Sequence, residues 1–457
     1  MYYYRQMSII NKREPIVLFL GDIVIFYASL WLAYFLRFSE IPGGTLFKQH
    51  LLAFSLLFVF WITVFFILGL YNKNVFFFHG RLKEVLLKAH VVNSIISFIY
   101  FYTIPFFGIN PKITLVFYIV ISFMLILFWR VFISNFIFLK KREHAILVGE
   151  GEEMFELNKE VNGNDRYGLF FDKIFDLSVT SAEDLKNGIT RAVEENGIST
   201  IVVDFRNIKS SPTLASLQDL VFNKVRFLDI NNVYEDVFDR VPLSLINHNW
   251  FVENVSSYTE STYDILKRLM DVILGIILGA FTLLITPFVA LAIKLDDGGK
   301  VFTKQERVGQ NNHHFYVFKF RTLERIEEGV WHKESKNNPT RVGKILRVTS
   351  IDELPQILNI LKGELSFIGP RSDLASLETR LRESLSHYSM RYIVRPGISG
   401  WAQVNQQYAP GHINPQTIDE NKVRLAYDLY YVKNRSLMLD LVIALRTIQT
   451  LLSRTGK

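Results

Sequence analysis

Cysteine is absent from the sequence, which removes disulfides, thiolate zinc sites and cysteine nucleophiles together and agrees with a reducing compartment. Charge is also sparse: 21% of the 457 residues are Asp, Glu, Lys or Arg. Yet 49% are hydrophobic and 14% aromatic, so disorder is excluded over most of the chain. The mean hydropathy of +0.19 is too apolar for an ordinary soluble enzyme and too polar for a chain built only of membrane spans. It points to membrane segments joined to water-soluble domains, with room for roughly two to four domains. The net charge of +7 is modest and fits a membrane surface better than nucleic acid.

Four apolar runs occupy the first 140 residues: Pro15–Leu36, Leu51–Tyr71, Val91–Phe107 and Ile113–Leu139. A spanning helix needs about 20 apolar residues, so four spans are expected within a membrane domain at 1–142. The first run is too long for a signal-peptide core and has no small-residue cleavage site behind it. Arg5, Lys12 and Arg13 precede the first span, Lys73, Arg81, Lys83 and Lys88 follow the second, and Lys140, Lys141 and Arg142 follow the fourth. The positive-inside rule then places both the N-terminus and everything after residue 140 in the cytoplasm. Asp22 and Arg130 are the charges inside the runs. They read either as a functional path through the membrane or as an interhelical pair.

From His144 the pattern alternates between strand and helix. His144–Val148, Ile198–Phe205 and Val225–Ile230 read as buried strands, and Ser181 with Asp184 as the capping box of a helix. This alternation implies a parallel α/β sheet, a Rossmann-like domain at 143–255. The loop Gly149-Glu150-Gly151 begins a dinucleotide fingerprint, but Met154 stands where the third glycine belongs, and Glu150, Glu152 and Glu153 oppose a pyrophosphate. The domain therefore reads as structural, and nothing in it is needed for chemistry.

A fifth apolar stretch, Leu269–Ile293, lies between Lys267-Arg268 and Lys294. Basic residues at both ends give no bias toward crossing. Pro287 removes a helix hydrogen bond and clashes with the preceding turn. A helix at 265–294, broken at Thr286-Pro287, would enter the membrane and return on the same side.

Residues 299–405 hold the chemistry-bearing motifs: KQERVG ending at Gly309, FKFRT with Lys319 and Arg321, TSIDELPQ with Asp352 and Glu353, SFIGPR ending in Pro370-Arg371, and RPGISGWAQVN with Gln403. Pro355 is tolerated only in a helix's first turn, so a helix starts near Asp352. A carboxylate there meets free backbone N–H groups and is kept ionised. An ionised Asp is a nucleophile and an adjacent Glu can hold a divalent cation. The plainer alternative is that Ser350 or Asp352 caps the helix. Arg307, Lys319, Arg321 and Arg371 suit phosphate binding. A carboxylate pair among such cations, beside a membrane-dipping helix, suggests phosphoryl transfer onto a lipid.

With those five motifs in order, together with Lys267-Arg268, Asp271 and Thr286-Pro287, residues 264–440 resemble the bacterial sugar transferase family, the monotopic phosphoglycosyl transferases. The preceding spans and α/β domain resemble the family's large form. The resemblance implies an α/β catalytic domain at 256–457 with a re-entrant membrane helix. It also implies transfer of a sugar-1-phosphate from a UDP-sugar to undecaprenyl phosphate at the cytoplasmic face of the bacterial inner membrane, with UMP released, as the initiating step of surface-glycan synthesis. Asp352 would be the nucleophile and would form a covalent phosphosugar intermediate. Glu353, with Asp352, would hold Mg²⁺. Arg307, Lys319, Arg321, Pro370, Arg371 and Gln403 would bind the donor, and Lys267 and Arg268 would meet the lipid phosphate. The bilayer is the partner, and a homodimer is compatible. Gly299-Lys300, Ser372 and Thr286 depart from the family's usual residues, which bears on fine geometry and donor choice.

Two rivals remain at this stage. A membrane-anchored NAD-dependent nucleotide-sugar dehydratase or epimerase would use a Tyr-x-x-x-Lys signature, which occurs as Tyr263–Lys267. A decayed scaffold would have lost its carboxylates, whereas Asp352, Glu353 and Arg371 are intact. His313-His314 lacks further ligands at metal spacing and reads as a surface pair. The apolar periodicity of Leu437–Leu452 suits either the membrane interface or a core-packing helix.

Overall fold

The computed structural model describes residues 14–71, 79–103, 111–133, 142–165, 167–205, 225–246, 250–251, 254, 262–323, 339–407 and 415–453. The chain divides into two compact units, Met1–Val237 and Phe238–Lys457. The basic residues Arg5, Lys12, Arg13, Lys73, Lys140 and Lys141 lie outside the described residues.

In the first unit, α1 (Glu14–Phe38), α2 (Thr45–Ile67), α3 (His79–Thr103) and α4 (Lys112–Phe128) correspond to the four apolar runs, and all are long and apolar enough to cross a membrane. Phe26, Leu30, Phe54, Trp61, Phe65 and Tyr118 pack on the inward faces, while Val24, Val59 and Ile99 point outward. The third helix starts before its apolar run. Leu82, Leu86 and Ala89 continue the inward stripe, so the segment holding Lys83 and Lys88 is helical rather than a loop. Asp22 and Arg130 are fully buried and paired. Tyr71 Oη donates to Asp22 at 2.8 Å, and Arg130 also donates to the Leu70 carbonyl at 2.6 Å. The geometry is that of the interhelical pair. Arg130 sits in a π turn, Trp129–Ile133, that prolongs α4.

The same unit carries a four-stranded parallel sheet of order β2-β1-β3-β4, made of β1 (Glu143–Gly149), β2 (Leu169–Asp176), β3 (Thr200–Val203) and β4 (Arg226–Asp229). Between and after the strands run α5 (Glu152–Asn162), α6 (Ala182–Asn196) and α7 (Ile230–Phe238). Ser181 caps α6, its Oγ accepting from the Asp184 amide at 3.2 Å, while the Asp184 carboxylate accepts from the Ser181 hydroxyl at 2.6 Å rather than from its backbone N–H. Met154 is fully buried, with its side chain over Gly149. An apolar side chain thus fills the place of the third glycine.

The second unit begins earlier than the expected boundary at 256. Val241, Trp250 and Phe251 share a core with Tyr388, Trp401, Leu429 and Ile443. Trp401 Nε1 donates to the Asp239 carbonyl at 2.8 Å, and the Val241 amide to the Ala426 carbonyl at 3.1 Å. Residues 238–251 therefore belong to this body, because a buried tryptophan and two paired backbone groups hold them there.

The longest helix, α8 (Thr262–Asp297), has 36 residues. It is followed by β5 (Phe302–Val308), antiparallel to β6 (His314–Phe320), then α9 (Arg341–Thr349), a 3₁₀ turn Ile351–Gln356, and α10 (Ile357–Lys362). After these come β7 (Ser366–Ile368), α11 (Ala375–Ser384), a 3₁₀ turn Tyr388–Ile393, and β8 (Gly397–Ser399), which pairs parallel to β7. Three helices close the chain: α12 (Trp401–Asn405), α13 (Ile418–Asn434) and α14 (Leu437–Ser453). The strands form two-stranded pairs among helices, so this body is α+β rather than the layered α/β domain expected. A three-residue strand pair offers no face on which helices can layer.

The backbone of α8 stays helical through Thr286-Pro287 rather than breaking there. One proline removes a single ladder bond, and the Thr286 hydroxyl bonds back to the Thr282 carbonyl at 2.7 Å. From end to end the helix lies on one partner run of opposite direction. Gly275 meets Leu361, Gly279 meets Ile357, Val289 and Ile293 share a core with Leu346, and Asp296 accepts from the Val342 amide at 2.9 Å. The other face is bare and apolar, with Leu283, Leu284 and Phe288 each more than 70% exposed.

Candidate active site

Asp352 and Glu353 enter on the 3₁₀ turn after Ser350, whose left-handed φ of 56° stops α9. Asn359, fully buried on α10, fixes this turn against β6: its amide donates to the Tyr316 carbonyl at 2.7 Å. Side-chain alternation along β6 puts Lys319 on the inward face with Phe315 and Val317. Lys319 Nζ therefore reaches Glu353 Oε1 at 2.7 Å, and Arg371 Nη2 reaches the same oxygen at 2.9 Å. Burial alone would raise the Glu353 carboxyl, but the charges and hydrogen bonds of Arg371 and Lys319 outweigh it and hold the group well below the usual range. Burial pulls Lys319 below the ordinary lysine value.

Asp352 is the opposite case. Its side chain is in no hydrogen bond among the described residues, so it caps nothing, and no side chain caps the turn. Burial raises its carboxyl above the ordinary aspartate value, and the charge of Glu353 adds to this, against the pull of Lys319, Arg347 and Arg371. Two adjacent carboxylates thus differ. One is neutralised by two cations, and the other is left free within their field. A free carboxylate is a nucleophile, and the cations suit a phosphate that approaches it.

Arg307 stands on the flank of this cluster. It donates to the Ser372 carbonyl at 2.9 Å and to Gln305 at 3.1 Å, and burial draws it down to about 10. Pro370 is part of the β7–β8 junction, where its carbonyl accepts from the Gly397 amide at 2.9 Å. A Cβ on Gly397 would lie 2.1 Å from the Gly369 amide nitrogen, so glycine is required for this approach. Gln403 donates to the Ile398 carbonyl at 3.3 Å, and its buried Oε1 has no partner among the described residues.

Three expected phosphate ligands are committed elsewhere. Arg321 bonds to the Lys300 carbonyl at 2.7 Å and pairs with Asp297 at the end of α8. Lys267 pairs with Asp440 at 2.6 Å, and Arg268 donates to the Ile360 and Leu361 carbonyls at the C-terminal end of α10. These side chains anchor α8 to the body. Tyr263 also donates to Asp440, at 2.9 Å, so the Tyr-x-x-x-Lys pair serves the same anchor. His314 bonds only to Glu306 among the described residues.

Sequence reasoning missed Arg347. It is exposed on the last turn of α9, with its charge near Asp352. Its only signal is a position one to two helical turns before the carboxylates.

Among the described residues no three His, Asp or Glu side chains converge as a metal cage. Mg²⁺ is commonly held by one or two carboxylates together with substrate phosphates. Asp352 and the Oε2 of Glu353 fit that sparser arrangement, because both cations engage Oε1.

These features define a body with a helix long and apolar enough to enter a membrane and an adjacent carboxylate pair, one member of which is clamped by two cations. A family profile described as bacterial sugar transferase matches residues 262–454. An Aeromonas hydrophila UDP-N-acetylgalactosamine-undecaprenyl-phosphate N-acetylgalactosaminephosphotransferase is 35% identical over 230 residues, 50% of this chain and 52% of that protein. A Caulobacter vibrioides UDP-glucose:undecaprenyl-phosphate glucose-1-phosphate transferase is 36% identical over 193 residues, 42% of this chain and 71% of that protein. The exopolysaccharide production protein PSS of Rhizobium leguminosarum bv. phaseoli is 36% identical over 201 residues, 42% of this chain and 96% of that protein. The chain belongs to the bacterial sugar transferase family. It spans about half the length of the Aeromonas relative.

Proposed function

We propose that the protein transfers a sugar-1-phosphate from a UDP-sugar to undecaprenyl phosphate, releasing UMP and forming undecaprenyl-diphosphate-sugar. The observation that carries this reading is the free Asp352 carboxylate beside a Glu353 clamped by Lys319 and Arg371. The names of the relatives agree with it in donor and acceptor class.

In the first step an Asp352 oxygen attacks the sugar-linked phosphorus, and the bond from that phosphorus to the bridging oxygen breaks. UMP leaves with the bridging oxygen and its electron pair. In the second step a lipid-phosphate oxygen attacks the same phosphorus and releases the Asp352 carboxylate. Lys319, Arg371 and Arg307 offset phosphate charge throughout, and Arg347 adds a cation on the open side. Asp352 and Glu353 would hold a Mg²⁺ ion, which would supply further charge neutralisation when bound. Lys267, Arg268 and Arg321 hold α8 in place.

The Lys and Arg distribution supports a catalytic body at the cytoplasmic face of the bacterial inner membrane. Helix α8 enters the bilayer with its bare face and does not cross, because its two ends pack on one body. A straight 36-residue helix would be about 54 Å long, more than a bilayer needs. The middle domain is a Rossmann-like scaffold. A UMP-release assay with undecaprenyl phosphate across a panel of UDP-sugars tests the reading and names the sugar. Release with no member of the panel would refute it.

A further inference from the structure

Behind Arg371 lies a fully buried ionic cluster that the transfer mechanism leaves unused. Asp373, two residues on, accepts from Arg424 Nη1 at 2.8 Å, from Tyr388 Oη at 2.9 Å and from Tyr392 Oη at 2.8 Å, and it pairs with Arg391. Asp428 balances the second guanidinium, 2.7 Å from Arg391 Nη2 and 3.7 Å from Arg424 Nε. Two carboxylates and two guanidiniums thus form a neutral set, away from water, drawn from four places in the sequence. Burial raises the Asp373 carboxyl, but Arg391 and Arg424 outweigh it and keep the group ionised.

The set converges on one atom. Arg391 Nη2 donates to the Arg371 carbonyl at 2.8 Å, and Arg424 Nη2 to the same oxygen at 2.6 Å. On the other side Arg307 holds the Ser372 carbonyl, and the Val308 amide holds that of Asp373 at 3.0 Å. The backbone that carries Arg371 is therefore gripped at three consecutive carbonyls. A buried ionic cluster is weak evidence for stability, since apolar residues of the same volume do as well. Its directionality is what apolar packing cannot supply.

We infer that Asp373, Arg391 and Arg424 are positioning residues for phosphoryl transfer: they hold the Arg371 backbone so that its guanidinium meets Glu353 and the donor phosphates. They touch neither carboxylate of the dyad and act through Arg371. The inference rests on the proposed transfer activity.

The test is a mutant cycle on the full-length protein in membranes, read as UMP release from the accepted UDP-sugar. Wild-type release tests the activity alone, and the ratio of variant to wild type tests the positioning. Arg424→Lys keeps a charge for Asp373 but cannot also reach the Arg371 carbonyl. It should raise KM for the UDP-sugar, lowering kcat/KM by about tenfold to a hundredfold, the scale of a sub-ångström to ångström misplacement, while the melting temperature stays near wild type. Arg391→Lys, more deeply buried, should do the same if it folds. In an Arg371→Lys background, adding Arg424→Lys should cost less than about twofold, because the group being aimed is already changed. Two results would overturn the inference. One is unchanged kcat/KM in a folded Arg424→Lys protein. The other is an equal loss in both backgrounds, which means a structural role only.

Discussion

Replacing each member of the Asp352–Glu353 pair by its amide should have opposite effects on stability, although both should harm activity. Glu353 accepts from Lys319 and Arg371, with side-chain exposures of 16% and 21% against its own 19%. Glu353→Gln leaves two adjacent, largely buried cations without their counter-charge. Breaking a buried pair in this way costs about 3–5 kcal/mol, and the residual exposure argues for the lower end, about 3 kcal/mol. For a body the size of Phe238–Lys457 that is a fall of roughly 6–12 °C in melting temperature. Asp352→Asn removes a charge that burial disfavours. Its carboxyl is raised in the fold, so at neutral pH the ionised group opposes folding, and the amide should leave the melting temperature equal or higher. Turnover should nevertheless fall at least about a thousandfold, because an amide cannot attack phosphorus. Thermal unfolding of both variants in matched detergent, beside UMP release, is the assay. A destabilised Asp352→Asn protein, or a Glu353→Gln protein as stable as wild type, would refute the electrostatic asymmetry.

Other outcomes follow from the same geometry. The acid limb of kcat should lie above the ordinary aspartate range, because Asp352 must be ionised and its carboxyl is raised; the limb should be absent from any residual activity of Asp352→Asn, and a limb at or below the usual aspartate value would contradict the assignment. Glu353 is depressed, so its stabilisation is fully present above its unfolded pKa of about 4.3 and is lost only in stronger acid. Melting curves from pH 7 to 5 should therefore show no loss from this group. Truncation to residue 258 should unfold the catalytic body by removing Val241 and Trp250, whereas a chain starting before Phe238 should fold. Trp250→Ala alone should cost about 3–5 kcal/mol, which chemical denaturation would read. A single cysteine at Lys300 in the Cys-free chain should be labelled only from the cytoplasmic side, and periplasmic labelling would mean that α8 crosses.

Some of this was legible in the sequence because it is local. Apolar runs of spanning length gave α1 to α4, and a capping residue, Ser181, opened α6. Pro355 located the turn that bears Asp352 and Glu353. What sequence could not supply were partners distant along the chain. Arg321 looks like a phosphate ligand beside Lys319, yet it lies just past the end of β6, where the Lys300 carbonyl and Asp297 claim it instead. Lys267 and Arg268 sit at a membrane entrance in sequence, but Asp440 and the last carbonyls of α10 claim them. The cluster around Asp373 joins residues 18 and 51 positions apart, a spacing that leaves no periodic trace. Residues 238–251 read as the end of the middle domain because only the fold shows Trp250 buried in one core with residues of α13 and α14.

The central claim is that the Asp352 carboxylate becomes covalently bonded to the transferred phosphorus. The most direct measurement is intact-protein and peptide mass spectrometry of wild-type protein incubated with UDP-sugar and Mg²⁺ but no lipid. A phosphosugar adduct should map to the peptide containing Asp352, disappear on addition of undecaprenyl phosphate, and be absent from Asp352→Asn. Full UMP release by a folded Asp352→Asn protein, or an adduct on another residue, would contradict it.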